Sequence, residues 1–284
     1  AIGQRWDAFW HQFATFITNN TDVVVLSIFT NMIEVSVYSV YMLVINGIKR
    51  IITSFSNGIE AAFGNMIAKK EEKSLKENFS LVEFIIYNIS TIVYGCSIAL
   101  ILQFVNVYTI NIKDADYLKP LFSYILLLAT FMTSIRMPYQ LIIQAAGKYK
   151  ETKNGAIFEA FLNIIISVVL VINFGLIGVS IGTFVSTTIR TVELLIYANK
   201  NIIHENCKKS WLKMFLSLAN IAVIVYIWNL LKLSMPNTYF VWIKNAIIIV
   251  ILAIVSLFIV DIIFYNKELK LLLKKLKLMK KKKM

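Results

Sequence analysis

Lys49, Arg50, Arg136 and Arg190 each stand inside a long apolar run, with polar residues above and below them at helical spacing. A cation in such a run can neutralise a carboxylate of its own protein or face a wet interior that holds an anion. In the first run His11, Thr15, Thr18 or Asn19, and Asp22 share one helical face. In the second, Asn46, Lys49, Thr53, Ser56 or Asn57, Glu60 and Gly64 do the same. Thr130, Thr133, Arg136, Gln140 and Gln144 make a third stripe. Glu159, Asn163 and Ser167 make a fourth, and Ser180, Thr183, Thr187 and Arg190 a fifth, with Glu193 one turn on. A weaker one runs through Tyr87, Ser90 or Thr91, Tyr94 and Ser97. Such a helix meets protein or water on one face and lipid on the other.

Cost separates the possibilities. A central charge facing lipid costs about 2.5–3.5 kcal/mol even on the lenient insertion scale, so four would cost on the order of 10 kcal/mol. These cations must therefore face an interior, a hydrated cavity or an acid. Lys49 and Arg136 have Asp22, Glu60 and Glu159 as possible internal partners. Arg190 has Glu193 three residues away. Hydroxyl and amide stripes also serve as glue between helices, and His11, near a span end, reads as an interfacial histidine. Asp22 is the one acid clearly placed at mid-depth, so the sequence predicts an interior excess of positive charge, which suits an anionic substrate. Pro138, two residues past Arg136, removes a backbone donor and predicts a kink beside that cation.

The elements that position these residues follow from composition. Of 284 residues, 58% are hydrophobic and 16% charged, against about 45–50% and 25% in soluble domains. Mean hydropathy is +0.71. This excludes a soluble enzyme and demands a bilayer. Eight spans are predicted, at roughly 8–30, 35–64, 79–104, 119–146, 156–173, 178–198, 211–231 and 240–265. Gly175 and Gly178 punctuate a very short turn between the fifth and sixth. Alternate connectors carry the basic residues: Lys69, Lys70, Lys73 and Lys76, then Lys148, Lys150 and Lys153, then Lys200, Lys208 and Lys209. The other set holds Lys113, Lys119 and Lys232. By the positive-inside rule the first set, and both ends of this chain, are cytoplasmic in a multi-pass protein of the cell membrane. The predicted domains are a six-helix lobe over 1–200, two peripheral helices over 201–265 and a basic tail over 266–284. Lys213, Lys244 and Asp261 read as snorkelling near span ends. The tail reads equally as an amphipathic interfacial helix and as a disordered basic end. Its net charge, +13 for the chain, points to a membrane surface rather than nucleic acid. Cys96 and Cys207 make no disulfide framework, and no metal or cofactor motif is present.

Several segments, in order, resemble the C-terminal part of Wzx-type polysaccharide flippases of the MOP superfamily of membrane exporters. They are "NNTDVVVLSIF" (19–29), "VSVYSVYMLVINGIKRI" (35–51), "DADYLKP" (114–120), "IRMPYQLIIQAAGKYKET" (135–152) and "EAFLNIIISVVLVINFGLIGVSIGT" (159–183), with Arg190 beyond them. The resemblance is tightest over 135–190. It implies an all-α polytopic membrane protein: the six-helix C-lobe of a two-lobe transporter plus two extra helices, with an N-lobe preceding Ala1. It further implies flipping of a polyprenyl-pyrophosphate-linked oligosaccharide across the cytoplasmic membrane for surface polysaccharide biosynthesis, by alternating access and without enzymatic catalysis. The cavity residues would be Asp22, Lys49, Arg50, Glu60, Arg136, Gln140, Gln144 and Arg190, with the cations on the headgroup and Asp22 binding a cation or balancing charge. A cation or drug antiporter would need a net acidic cavity instead. A polytopic glycosyltransferase or polymerase would need a longer external loop than 105–118, although Asp114 and Asp116 lie there.

Overall fold

Long apolar runs become helices because the backbone in a bilayer must satisfy its own hydrogen bonds. The structure, a computed structural model, describes the backbone of residues 2–54, 56 and 58–282, with the side chains of these except 2–5, 7, 8, 11, 15, 19 and 276–282. The side chains of His11, Thr15, Asn19 and Asn57 and the end of the tail thus lie outside the described residues. The helices are α1 (Ile2–Phe29), α2 (Met32–Ser54), α3 (Ile59–Ala68), α4 (Glu72–Thr109), α5 (Pro120–Ile135), α6 (Met137–Ala145), α7 (Tyr149–Phe174), α8 (Leu176–Ala198), α9 (Lys208–Leu230), α10 (Tyr239–Phe264) and α11 (Asn266–Lys282). A π-helical turn (Asn199–Ile203) extends α8. Seven stretches are long and apolar enough to cross a membrane, and Asn20–Phe29 is a shorter apolar one. The chain is an all-α polytopic membrane protein of about eight helices.

Two spans are broken. The fourth splits at Arg136, where Pro138 enters the first turn of α6. The second splits after Ser54, and Gly58, at φ +83°, restarts it as α3. The sequence gives no warning of that second break. α6 ends on Gly147 at φ +68°, with Lys148 N–H donating to Ile143 O and Gly147 N–H to Gln144 O, a Schellman stop.

α7 and α8 form an antiparallel pair turned at Gly175, φ +51°. Gly178 is not part of that turn. With Gly182 it forms a small-xxx-small pair inside α8. A Cβ on Gly178 would meet the Leu170 carbonyl, and one on Gly182 the Ser167 hydroxyl and, at 2.9 Å, the Ser167 backbone nitrogen. α1 packs on α7, and α5 on α8. α4 carries α5 on one side and α9 and α10 on the other. Tyr41 of α2 pins the 110–119 connector: its hydroxyl donates to Tyr117 O (2.8 Å) and accepts from Lys119 N–H (3.0 Å). In that connector the Leu118 N–H and the Lys119 ammonium hold the Asp116 carboxyl below the usual range.

The tail is helical and docks on α4. Leu269, Leu271 and Leu272 pack with Leu81, Phe84 and Tyr265. Glu268 accepts from Ser80 (3.3 Å), and Lys275 donates to Asn78 (2.5 Å).

Gly182→Leu should force the α7–α8 pair apart at about 1–3 kcal/mol, the usual cost of overpacking. A lowered melting temperature in detergent checks it, and an unchanged one would show that the pair does not need this close approach.

Candidate functional site

Helix rise places the cations. Lys49, Arg136 and Arg190 lie 17, 16 and 14 residues from the starts of α2, α5 and α8, about 21–26 Å along at 1.5 Å per residue. Glu159 lies 15 residues before the end of α7, about 22 Å by the same rise. Ion pairs put Arg136, Glu159 and Arg190 in one layer, and Lys49 and Arg190 fall near the middle of the spans Met32–Ala68 and Leu176–Ile203.

The arginines are paired. Arg136 Nη1 donates to Glu159 Oε1 at 2.6 Å. Arg190, 2% exposed, sets Nε at 3.8 Å from Glu159 Oε2, donates Nη1 to Glu193 Oε2 (2.7 Å) and donates Nη2 to Thr152 O (2.9 Å). One buried carboxylate thus serves two guanidiniums. Gly155 makes room for this: a Cβ there would collide with the Glu193 carboxylate and the Arg190 guanidinium. The expected interior excess of positive charge is therefore corrected for these two residues. Glu159 and Glu193 neutralise them, because a buried charge left unpaired carries a desolvation penalty of several kcal/mol. Arg136 Nε remains buried without a partner.

Lys49 differs. It is half-buried and within electrostatic reach of Asp22 and Arg136, and among the described residues it has no ion pair or hydrogen bond. Next to it α2 exposes a mixed arc of Asn46, Gly47, Arg50, Thr53 and Ser54, bordered by Leu43 and Ile51. Glu60 on α3 is exposed, at the Tyr149 end of α7. Gln140 and Gln144 are half-buried, with side-chain amides that have no hydrogen-bond partner among the described residues.

Asp22 lies seven residues from the end of α1, within electrostatic reach of Lys49. It is 4% exposed and accepts from Tyr38 OH (3.0 Å) and from Thr183 Oγ1 (2.9 and 3.0 Å). Asn163 Nδ2 donates to the same Thr183 oxygen (3.0 Å), while Asn163 Oδ1 is buried without a partner. The Asp22 carboxylate and the Thr183 hydroxyl set hard oxygens side by side, the ligand type that a small cation takes.

A third polar centre went unread in the sequence. Glu83 of α4 accepts from Lys213 of α9 (2.6 Å) and from Tyr139 of α6 (2.5 Å), and Tyr139 hydrogen-bonds Tyr87 at 2.9 Å. Both charged side chains are under 5% exposed. Lys213 does not snorkel, since its partner lies inward. Asp261 is also buried and accepts from Asn88 (2.7 Å). Glu83 lies four residues before Tyr87, in register with the stripe Tyr87, Ser90 or Thr91, Tyr94. That spacing was the available signal.

Glu83→Gln alone strands the Lys213 ammonium and should cost about 3–5 kcal/mol, whereas Glu83→Gln with Lys213→Met removes both charges and should recover most of it. Melting temperatures of the two variants check this, and a double variant no more stable than the single would refute pairing as the reason for burial. Compared with family models, with curated proteins and with solved structures, the chain matches none of them.

Proposed function

We propose that this chain forms part of a flippase that moves a polyprenyl-pyrophosphate-linked oligosaccharide across the cytoplasmic membrane, as its resemblance to Wzx-type flippases implies. The observation that carries the reading is Lys49, a cation inside a span that makes no ion pair or hydrogen bond among the described residues, with Asp22 as the acid within electrostatic reach, beside the exposed polar arc of α2. Lipid is a poor neighbour for that arc; water, an anionic headgroup and a second helical lobe are better ones.

The chemistry then divides among residues. Lys49 and Arg50 attract the pyrophosphate from the open side. Arg136 stands one step further in, where pyrophosphate competes with Glu159 for its planar fork. Gln140 and Gln144 offer free amides to sugar hydroxyls. Asp22, with Thr183, takes a monovalent cation, which gives the cycle a coupling ion. A second reading, an antiporter that expels organic cations, gains support from the glutamate pairing of Arg136 and Arg190, because that pairing removes two of the four cations considered for the headgroup from the interior excess of positive charge.

In a host lacking its own flippase, Lys49→Gln with Arg50→Gln should reduce surface polysaccharide at least tenfold at equal protein level. Lys49→Arg with Arg50→Lys should retain it. Full export by the glutamine variant would remove these cations from the mechanism, and organic-cation efflux unaffected by it would favour the antiporter.

A further inference from the structure

A polar concavity lies against α4, between α5 and α9. A cavity of about 190 Å3 is walled by α4 (Ile98, Leu102, Gln103), by Tyr124 of α5, and by Trp228 and Asn229 of α9, and roofed by Leu233 and Met235. It shares no residue with the α2 arc beside Lys49. It opens near the helix ends opposite the basic connectors: Gln103 is six residues from the end of α4, and Tyr124 four from the start of α5.

Its polar groups are unspent. Gln103 is 5% exposed, and its Oε1 accepts from Asn245 Nδ2 at 3.0 Å. That bond fixes the amide so that Nε2 turns away from Asn245. Gln103 Nε2 has no hydrogen-bond partner among the described residues and is not among the fully sealed unpartnered atoms, and Gln103 lines the void. The Tyr124 hydroxyl and the Asn229 amide likewise have no hydrogen-bond partner among the described residues. A buried donor held in place without a partner costs about 1–3 kcal/mol unless something meets it.

We propose that this pocket binds one neutral sugar ring, a hexopyranose. The lining carries no charged side chain, which disfavours a phosphate-bearing headgroup. Two amides and a phenol match hydroxyls that both donate and accept. The walls from Tyr124 and Trp228 with Ile98, Leu102 and Met235 suit the C–H face of a pyranose. At roughly 30 Å3 per water the void holds about six waters, the scale of one ring and well below the roughly 300–1,000 Å3 of drug-sized sites. The proposal stands on this pocket and not on the flipping reading.

The test uses the purified chain in an amine-oxide detergent, because glycoside detergents would themselves compete for the pocket. Methyl glucoside, methyl galactoside and N-acetylglucosamine are titrated one at a time by saturation-transfer NMR. The expected result is saturable transfer to at least one of them at a roughly millimolar dissociation constant, weakened at least tenfold in Tyr124→Phe with Asn229→Ala. Both side chains are exposed, so the melting temperature of that variant should stay within a degree or two, and Gln103→Met gives a second, independent loss of binding. Absence of saturation with all three sugars, equal binding by the variants, or displacement by phosphocholine as effective as by sugar would each overturn the proposal, the last in favour of a lipid headgroup.

Discussion

A charge inside a hydrocarbon slab has to be neutralised by a neighbour or kept wet, and the interior of this protein is arranged around that requirement. Glu159 holds two guanidiniums, one on each carboxylate oxygen. Glu83 holds an ammonium and a phenol. Asp22 is solvated by hydroxyls instead of a cation. Lys49 stands apart, and the face of α2 beside it is the place where the bundle is polar and open. The functional reading therefore rests on one side chain that makes no ion pair or hydrogen bond among the described residues.

Packing makes these arrangements possible. In a membrane, apolar contact alone does not bring helices together, so close approach and polar fastenings do. α7 and α8 meet through Gly178 and Gly182, and Gly155 leaves the gap through which Arg190 reaches Glu193. α4 carries most of the fastenings to the last helices. Lys213 of α9 enters at Glu83, Asp261 of α10 at Asn88 and Asn245 at Gln103. Asn220 of α9 ties to Ser256 of α10 (3.1 Å). The last two spans are thus bound to the bundle by buried polar contacts at both ends of α4, which a reading of their outer faces as plain apolar surface does not convey.

The spans were legible because hydrophobic length and polar connectors are local properties, and so were the turn at Gly175 and the break beside Pro138. The break after Ser54 was not, because "TSFSNG" continues the helical stripe and Gly58 alone does not fix a left-handed turn. The partner of Arg136 could be named but not chosen: Asp22, Glu60 and Glu159 all stay open in the sequence, and the fold brings Glu159 of α7 to the α5–α6 break. Lys213 and Asp261 were misread because distance from a span end does not say which way a side chain points. Glu83 was overlooked inside "SLVEFIIYNIS", where the apolar neighbours hid a residue in register with three tyrosines and serines below it. The positions of Gln140 and Gln144 were legible from their stripe, and their free amides follow from the structure.

The central claim is that the polar arc of α2 faces water and not lipid. Spin labels placed one at a time at Asn46→Cys on α2 and Ile251→Cys on α10, in a background with Cys96 and Cys207 replaced by alanine, test it in lipid vesicles. The two positions lie 14 and 12 residues from the starts of their helices, so depth alone does not separate them. The account predicts that the label at position 46 collides more with a water-soluble nickel chelate than with oxygen, and that the label at 251 does the reverse. Oxygen-dominated relaxation at both positions would contradict it.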